Sequence, residues 1–465
     1  MSVRVRIAPS PTGQMHVGTA RTALFNWLFA KKNNGIFILR IEDTDKERSK
    51  KEYEDNILEG LEWLGLDYQE GPIRQSERGE IYAEYIKKLL DSGSAFYCCH
   101  TAEELGKEKE DQMQKKQAPR HKCNQESRMK NHESSVIRFK NPGGKIKFTD
   151  LIRGEIEFDA DLLGDFSIAK DEDTPLYNLA AAIDDYEMKI SHVMRGEDHI
   201  SNTPKQLLIC RAFGLEPPQY AHLPMILGTD KSKLSKRHGA TAVTEYRGMG
   251  YLPEAMFNFL SMLGWSSGDD NEIMSREEIV KKFSLDQVQK SGAVFNIEKL
   301  DWLNGEYIRA MSLDALTEAV KPYLPQNNDL DLKKIIALEQ PRMKKLSEIG
   351  ESTKFFFTDK LEYDSGLLLW KDMGGEEVKE ILDKLEALLD EIEEKDYVKD
   401  KLEKIIMPKA EEWGSVEGKV DRGRILWPLR VALTGQKASP GPFEVAEILG
   451  KKRCLQRVRE AKNIS

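Results

Sequence analysis

The stretch that decides the fold lies near the start of the chain, at residues 7–19, and reads IAPSPTGQMHVGT. Before it, residues 3–8 alternate apolar and basic side chains, a pattern that predicts a strand buried on at least one face. Two prolines and Gly13 end this strand, because proline has no backbone N–H to donate to a neighbouring strand. From Thr19 onward, apolar residues recur at helical spacing. The sequence therefore predicts a strand, a loop of small residues and a helix, in that order.

The predicted loop is a natural site for an anion. Backbone N–H groups at the start of a helix have no partner within the helix, and the helix dipole makes this end positive, so phosphate binds well there. His16 and Thr19 add side-chain donors at the same place. For these residues alone, an ordinary connection between a strand and a helix stays open as the alternative.

Two later strands are predicted to end in charged residues. Residues 35–41 form a short apolar run that fits a buried parallel strand and is followed by Glu42. Residues 190–195 read as another strand of the same sheet and end in Arg195. Ligands of such sheets bind at the carboxyl ends of the strands, so we expect Glu42 and Arg195 to face the same crevice as His16.

A second candidate phosphate site is the loop at residues 231–239, which reads KSKLSKRHG. Its ammonium groups are mobile donors that can follow the oxygens of a polyphosphate. Taken alone, this string is also typical of a solvated basic loop.

The two loops together carry a family resemblance. Residues 9–19 resemble the "HIGH" signature of class I aminoacyl-tRNA synthetases, in the version used by glutamyl-tRNA synthetases, and residues 231–239 resemble the "KMSKS" signature of the same class. The resemblance extends from residue 3 to about residue 459 and includes further segments at 36–44, 75–78, 195–199, 252–265, 294–305 and 426–444.

This resemblance implies an α/β catalytic domain with a Rossmann-type parallel sheet, split by an α+β insertion and followed by a mostly α-helical C-terminal half. The strand patterns between residues 136 and 169 independently predict the insertion as one antiparallel patch. The expected domains are the catalytic domain at 1–90 and 179–235, an insertion that holds the tRNA acceptor end at 91–178, a stem-contact region at 236–312 and an all-helical anticodon-binding domain at 313–465.

The implied activity is ATP-dependent activation of L-glutamate to glutamyl-adenylate and transfer to the 3′-terminal ribose of tRNA(Glu), with charging of tRNA(Gln) left open. Magnesium should accompany the nucleotide. The implied catalytic residues are His16, Lys233 and Lys236. The implied ATP-binding residues are Pro9, Ser10, Thr12, Gly13, His16, Gly18, Thr19, Lys233, Ser235 and Lys236.

Recognition of glutamate requires a cation for its side-chain carboxylate. Arg6 and Arg195 can present fork-like donors to carboxylates, and Glu42 can pair with the substrate ammonium. A buried arginine should reject neutral glutamine, which would leave the charge unpaired. With the resemblance, the expected glutamate-binding residues are Arg6, Ala8, Ser10, Glu42, Tyr177 and Arg195.

Cysteine and histidine spacing suggests a structural zinc site. Cys98, His100 and a returning Cys123 are compatible with tetrahedral coordination. Some bacterial glutamyl-tRNA synthetases have a similar Cys-x-Cys pair, from which this chain departs by carrying His100. The sequence leaves the fourth ligand open among His121, His132 and Cys99, and ordinary buried thiols are the alternative.

Composition bounds the remaining properties. The net charge of −9 argues against a protein that coats nucleic acid generally, although a local basic face can still contact phosphates. Five irregularly spaced cysteines suggest a reducing compartment, and the sequence predicts neither a secretory leader nor a membrane span. We therefore expect a cytoplasmic protein, monomeric and without a membrane partner.

Four alternative functions fit the sequence less well. A tRNA-modifying paralogue that glutamylates a queuosine-type base, and a small-metabolite nucleotidylyltransferase, would not need the long helical C-terminal half. Glutaminyl-tRNA synthetases share the front half but end in β-barrels. A non-catalytic tRNA-binding paralogue should have lost His16, Arg195 or Lys236, and all three are present.

Overall fold

The computed structural model describes residues 2–124, 126–127, 136–235, 237, 239, 241–325, 329–416 and 419–464. The chain divides into two compact units: Met1–Gly248 with Pro253–Leu300, and Met249–Leu252 with Asp301–Ser465. None of the helices in this described part combines the length and the hydropathy that crossing a bilayer requires.

The first unit contains thirteen of the described strands. They are β1 (Arg4–Ile7), β2 (Ile36–Ile41), β3 (Glu70–Arg74), β4 (Ala95–Cys98), β5 (Glu126–Ser127), β6 (Val136–Phe139), β7 (Lys145–Asp150), β8 (Gly154–Asp159), β9 (Ser167–Ala169), β10 (His192–Gly196), β11 (Gln219–Leu223), β12 (Ile226–Leu227) and β13 (Ala293–Val294). The helices are α1 (Val17–Lys32), α2 (Lys51–Trp63), α3 (Gly79–Asp91), α4 (Ala102–Gln114), α5 (Tyr177–Glu187), α6 (Thr203–Ala212), α7 (Val243–Gly248), α8 (Pro253–Met262) and α9 (Arg276–Lys282).

A parallel sheet forms the centre of this unit and confirms the Rossmann-type prediction. Strand β1 pairs with β2, β2 pairs with β3, and β10 pairs with β11, all in parallel. Ser191 immediately precedes β10, and its N–H donates to the carbonyl of Arg4 in β1 (2.9 Å). Strand β10 therefore runs beside β1. The apolar run of β2 is buried along nearly its whole length, as expected for a strand covered on both faces. The carboxyl ends of β1, β2 and β10 therefore lie at one edge.

The insertion differs from the single antiparallel patch that the sequence predicts. Four strands, β6 to β9, form between residues 136 and 169, where the sequence predicts strands. However, β6 and β9 join a sheet of order β5-β4-β6-β9, whereas the β7–β8 hairpin lies against β11, with Asp150 opposite Tyr220. The one-patch prediction was therefore wrong. Alternation and turn residues predict a hairpin, but they do not determine which sheet edge it joins.

The second unit is almost entirely helical. Helix α10 (Ile297–Ala310) spans the boundary between the units. It is followed by α11 (Leu313–Val320), α12 (Leu332–Glu339), α13 (Glu348–Ser352), α14 (Gly375–Glu391), α15 (Lys399–Trp413), β14 (Ser415–Val416), β15 (Lys419–Val420), α16 (Gly423–Thr434) and α17 (Pro442–Lys462). Helix α14 buries an apolar stripe formed by Val378, Ile381, Leu382, Leu385 and Leu389, and α17 is kinked at Gly450, where φ is 72°.

Candidate active site

A cavity of about 530 Å³ opens at the carboxyl edge of the parallel sheet. Residues at the ends of three strands line it: Arg6 from β1, Glu42 just after β2, and Arg195 from β10. His16, at the start of α1, lines the same cavity. The prediction that Glu42 and Arg195 face the same crevice as His16 is confirmed.

His16 caps the first turn of α1. Its Nδ1 accepts hydrogen bonds from the backbone N–H groups of Gly18 (3.1 Å) and Thr19 (3.3 Å). The ring proton of the neutral imidazole therefore sits on Nε2, which is 3.2 Å from the Thr19 hydroxyl. Two backbone N–H groups expected to bind phosphate thus already have an acceptor, and the ring presents Nε2–H as the donor. Burial and the nearby Lys233 ammonium lower the pKa of His16, so the ring is neutral around pH 7.

The loop rich in lysines reaches the same cavity from the other side. Lys233, Leu234 and Ser235 line it, and the Lys233 ammonium lies 4.0 Å from the Asp198 carboxylate. The chain after this loop is hydrogen bonded to the His16 loop, because the Val17 N–H donates to the Thr241 carbonyl (2.9 Å). Lys236 lies outside the described residues.

Beneath the cavity, two arginines and two carboxylates form a buried network. Arg6 donates to both carboxylate oxygens of Asp185 (2.9 and 3.4 Å). Arg40 donates to Asp185 (2.8 Å) and to Glu42 (3.0 Å), and its side chain is fully buried. Each guanidinium therefore has a carboxylate partner, which a buried ion pair requires.

These neighbours set the ionisation of the two carboxylates. Burial opposes ionisation of Asp185, but Arg6 and Arg40 outweigh it and hold the pKa of Asp185 below its usual range. Burial raises the pKa of Glu42, although Arg40 and Arg6 oppose this. Glu42 is thus the carboxylate of the network that most needs a further cation, and it is the one that lines the cavity.

Arg195 is held by three polar partners. Its Nη2 donates to the Thr203 hydroxyl (2.7 Å), its Nη1 to the Tyr177 hydroxyl (3.3 Å) and its Nε to His222 Nε2 (3.3 Å). Tyr177 in turn contacts His199 Nδ1 (3.0 Å), and burial together with Arg195 lowers the pKa of His199 to about 4. A neutral imidazole and a neutral phenol therefore surround the guanidinium, and its positive charge remains available to a carboxylate.

The other residues expected to bind substrate divide into two groups. Ala8, Pro9, Gly18, Thr19 and Tyr177 line the cavity. Ser10, Thr12 and Gly13 lie in the loop after β1 and are not among the described residues that line it.

Several residues of the site were missed from the sequence. They are Arg40, Asp185, His199, Thr203 and His222. A signal existed for Asp185, because two adjacent aspartates inside the apolar run of α5 are costly to bury without cationic partners. His222 carried no comparable signal.

A second cluster lies in the insertion, where Cys98, His100, His121 and Cys123 bring one donor atom each to within 4.8 Å of one another. The Cys98 Sγ is 3.5 Å from His121 Nε2, and the Cys123 Sγ is 3.6 Å from His100 Nδ1. Bonds of about 2.0–2.3 Å to a tetrahedral zinc place neighbouring ligands about 3.5 Å apart, so this donor set fits zinc. The structure thus brings His121 into the group; His132 lies outside the described residues.

Family models match both units of the chain. The model described as "tRNA synthetases class I (E and Q), catalytic domain" matches residues 2–302, and that described as "Anticodon binding domain" matches residues 315–462. The fold, the paired loops and these matches together define a class I tRNA synthetase.

Individual relatives match this chain over nearly its full length. A glutamate–tRNA ligase of Thermodesulfovibrio yellowstonii is 45% identical and covers 98% of this chain and 98% of its own. One of Dehalococcoides mccartyi is also 45% identical, over 99% of this chain and 97% of its own. A crystal structure of a glutamate tRNA ligase from Elizabethkingia meningosepticum, in complex with its amino acid, superposes with a TM-score of 0.87 at 33% identity and covers 100% of this chain and 99% of that one. The chain belongs to the E and Q family of class I tRNA synthetases.

Proposed function

We propose that the chain ligates L-glutamate to tRNA(Glu): it activates glutamate with ATP to glutamyl-adenylate and transfers the glutamyl group to the 3′-terminal ribose. The observation that carries this proposal is one cavity lined at once by His16, Lys233 and Arg195. Two of these side chains suit a polyphosphate and the third suits a carboxylate. The full-length similarity to glutamate–tRNA ligases supports the same reading.

Activation requires the glutamate α-carboxylate to attack the α-phosphate of ATP, with pyrophosphate as the leaving group. The protein contributes in-line positioning and donors where negative charge increases. His16 Nε2–H donates from one side of the cavity, and Lys233 approaches from the other. Lys236, assigned on sequence alone, adds a second ammonium from the same loop. Pro9, Ser10, Thr12, Gly13, Gly18, Thr19 and Ser235 complete the proposed nucleotide site, and magnesium would accompany the phosphates.

Glutamate recognition rests on opposite charges at the edge of the sheet. Arg195 offers donors to a carboxylate, and Glu42 offers its carboxylate to the ammonium group. Arg6 lines the cavity, although Asp185 already accepts two of its hydrogen bonds, so we assign it a shared role in holding the network and the substrate. Ala8, Ser10 and Tyr177 complete the proposed glutamate site.

For tRNA, we propose the division expected from the sequence. Residues 91–178 would hold the acceptor end, 236–312 the stem and 313–465 the anticodon. The match of residues 315–462 to an anticodon binding domain supports the last of these. The assay below decides whether the chain also charges tRNA(Gln). We further infer that the chain acts as a monomer in the cytoplasm, where protein synthesis uses its product.

We also propose that Cys98, His100, His121 and Cys123 hold one structural zinc. Glu108 supports this assignment, because its carboxylate lies 2.6 Å from His121 Nδ1 and thereby leaves Nε2 to the metal. Zinc would crosslink the two ends of the charged segment 98–123, where Phe96, Cys98 and Cys123 form only a small buried cluster. Metal analysis of Cys123→Ser should find less than one zinc per chain, whereas the neighbouring Cys99→Ser should keep the wild-type content. Equal zinc in both, or none in the freshly purified wild type, would contradict the assignment.

Aminoacylation tests the proposed function. Wild-type protein, ATP, magnesium and radiolabelled glutamate are combined with transcribed tRNA(Glu) or tRNA(Gln), with radiolabelled glutamine as the matched amino-acid control. The proposal predicts ATP-dependent charging of tRNA(Glu) with glutamate and none with glutamine. Absence of glutamate on both tRNAs would refute it.

A further inference from the structure

Behind Arg195 lies a second polar pair, on the side away from the cavity. His222 on β11 is fully buried, and its Nδ1 lies 2.6 Å from Oδ2 of Asp150, at the end of β7. Asp150 is equally buried. The hairpin β7–β8 belongs to the insertion, so this pair connects the insertion directly to a residue of the proposed glutamate site.

The surroundings of Asp150 fix its charge. Its Oδ1 accepts from the backbone N–H groups of Ile152 (3.0 Å) and Arg153 (2.8 Å), and its Oδ2 accepts from the N–H of His222 (3.0 Å). Burial opposes ionisation, but the hydrogen bonds from His222 and these N–H groups hold the pKa of Asp150 below its usual range. An ionised carboxylate can only accept hydrogen bonds, so Nδ1 of His222 must carry a proton.

The other ring nitrogen then has a defined role. In a neutral imidazole with a proton on Nδ1, Nε2 is an acceptor. It faces the Arg195 Nε–H at 3.3 Å and the Thr203 hydroxyl at 3.1 Å. The pKa of His222 is lowered, so this neutral form is favoured. Burial is the largest cause, the charges of Arg195 and Arg153 act in the same direction, and Asp150 opposes them.

Arg195 is therefore oriented by acceptors on three of its five N–H groups. The described contacts use Nε–H for His222, one N–H of Nη2 for Thr203 and one N–H of Nη1 for Tyr177. One N–H remains on each terminal nitrogen, which is the pair that a carboxylate binds through two parallel hydrogen bonds.

We propose that Asp150 and His222 are positioning residues for glutamate recognition: Asp150 selects the Nδ1–H tautomer of His222, and Nε2 of that tautomer holds Arg195 in the orientation that presents its two terminal N–H groups to a substrate carboxylate. This inference rests on the proposed function and adds to it two residues that do not line the cavity.

The test separates the two sides of the imidazole. His222→Gln can place an amide oxygen near the position of Nε2 and so keep an acceptor for Arg195, whereas His222→Asn can keep a donor for Asp150 but does not reach Arg195. Asp150→Asn should reverse the tautomer, because its amide can donate to Nδ1 and leave the proton on Nε2, facing Arg195. His192→Asn, on the neighbouring strand β10, is the control for loss of an imidazole in this sheet.

The measurement is steady-state aminoacylation of tRNA(Glu) by the full chain, with KM determined separately for glutamate and for ATP. We expect the glutamate KM to rise about tenfold or more in His222→Asn and Asp150→Asn, the size of one lost hydrogen bond to a charged group. The glutamate KM of His222→Gln should rise by about threefold or less, and the ATP KM should stay within about twofold of wild type in all three variants. His192→Asn should leave both constants unchanged.

Four results would overturn the inference. If the wild type charges tRNA(Glu) but the glutamate KM of His222→Asn is unchanged, Asp150 and His222 do not contribute to glutamate recognition. The proposed function would not be affected by that result. Equal increases in the glutamate and ATP KM would indicate general damage to the fold. If Asp150→Asn fails to fold, ¹⁵N shifts of the His222 ring in wild-type protein decide the tautomer, and a proton on Nε2 would refute the inference. Failure of the wild type to charge any tRNA with glutamate would overturn the proposed function, and with it this inference.

Discussion

Two buried arginines, one in each unit, have opposite environments. Arg195 in the first unit is held by a hydroxyl, a phenol and an imidazole, and it lines an open cavity. Arg457 in the second unit donates to three backbone carbonyls, those of Leu433, Phe355 and Thr358. Both side chains are almost completely excluded from solvent.

The difference shows that burial of a cation does not by itself identify a site. Carbonyls held in fixed positions by the main chain make Arg457 a crosslink between segments of the helical unit. Burial lowers the pKa of Arg457 to about 10, against the opposing charges of Glu460 and Asp359, so it remains charged at pH 7. The hydrogen-bond partners of Arg195 are neutral side chains, and Arg195 lines a cavity that an anion can enter.

The largest effect is expected for Arg195→Ala. Loss of a fork-like donor to a carboxylate should lower kcat/KM for glutamate by about 100-fold or more, because each hydrogen bond to a charged group contributes ~1.5–3 kcal/mol. The free energy of unfolding should change less than the activation free energy, because Thr203 and His222 are already 3.1 Å apart and can hydrogen bond to each other. Steady-state charging with varied glutamate checks this, with Arg195→Lys as the charge-preserving control. Unchanged kinetic constants would show that Arg195 does not bind the glutamate carboxylate.

Arg457→Met should show the reverse behaviour. Leaving buried carbonyls without donors should destabilise the second unit by about 3 kcal/mol. Binding of a non-hydrolysable glutamyl-adenylate analogue to the first unit should be retained. Urea unfolding followed by tryptophan fluorescence measures the first quantity, and titration calorimetry measures the second. Loss of analogue binding without loss of stability would show that Arg457 serves ligand binding and not the stability of the second unit.

Lys233→Ala probes an exposed cation, in contrast to the two buried ones. The side chain is 66% exposed, so its removal should leave stability unchanged. It should lower kcat about tenfold, because the ammonium would act on charge that develops as pyrophosphate leaves. The glutamate KM should stay near the wild-type value. A change confined to the glutamate KM would place Lys233 with the amino acid instead of the phosphates.

The smallest effect concerns His199, which contacts Tyr177 beside Arg195. Its pKa of about 4 lies below the ordinary value of 6.5, owing to burial and then to Arg195. Between pH 6.5 and about 4, the unfolded chain binds a proton that the folded chain does not, so the free energy of unfolding falls as the pH falls.

His199→Gln removes this proton while keeping a partner for the Tyr177 hydroxyl. The variant should therefore lose less stability than the wild type between pH 6.5 and about 4, as measured by urea titrations at several pH values. Parallel curves for the two proteins would show that His199 does not titrate as described.

The sequence was sufficient to place the side chains that end strands. Glu42 and Arg195 follow apolar runs, and Arg6 lies near the end of an alternating strand. The rule that parallel strands share a carboxyl edge brings the three together without any tertiary information. The His16 loop was predicted by its prolines, its glycine and the helical spacing after it.

Partners that act across long separations could not be predicted in this way. Arg40 meets Asp185 from 145 positions away, and His222 meets Asp150 from 72 positions away. The second contact depends on the β7–β8 hairpin joining β11, and hairpin patterns do not specify the neighbouring sheet edge. The capping of α1 by His16 itself was also missed, because helix N-terminal N–H groups were expected to await phosphate.

The central claim is that one cavity holds the nucleotide between the His16 and Lys233 loops and the amino acid against Arg195. A crystal structure with bound ATP and glutamate tests it most directly. The account predicts phosphate oxygens within hydrogen-bonding distance of His16 Nε2 and Lys233 Nζ, and a glutamate carboxylate on the terminal nitrogens of Arg195. A nucleotide bound away from His16, or a glutamate that does not touch Arg195, would contradict it.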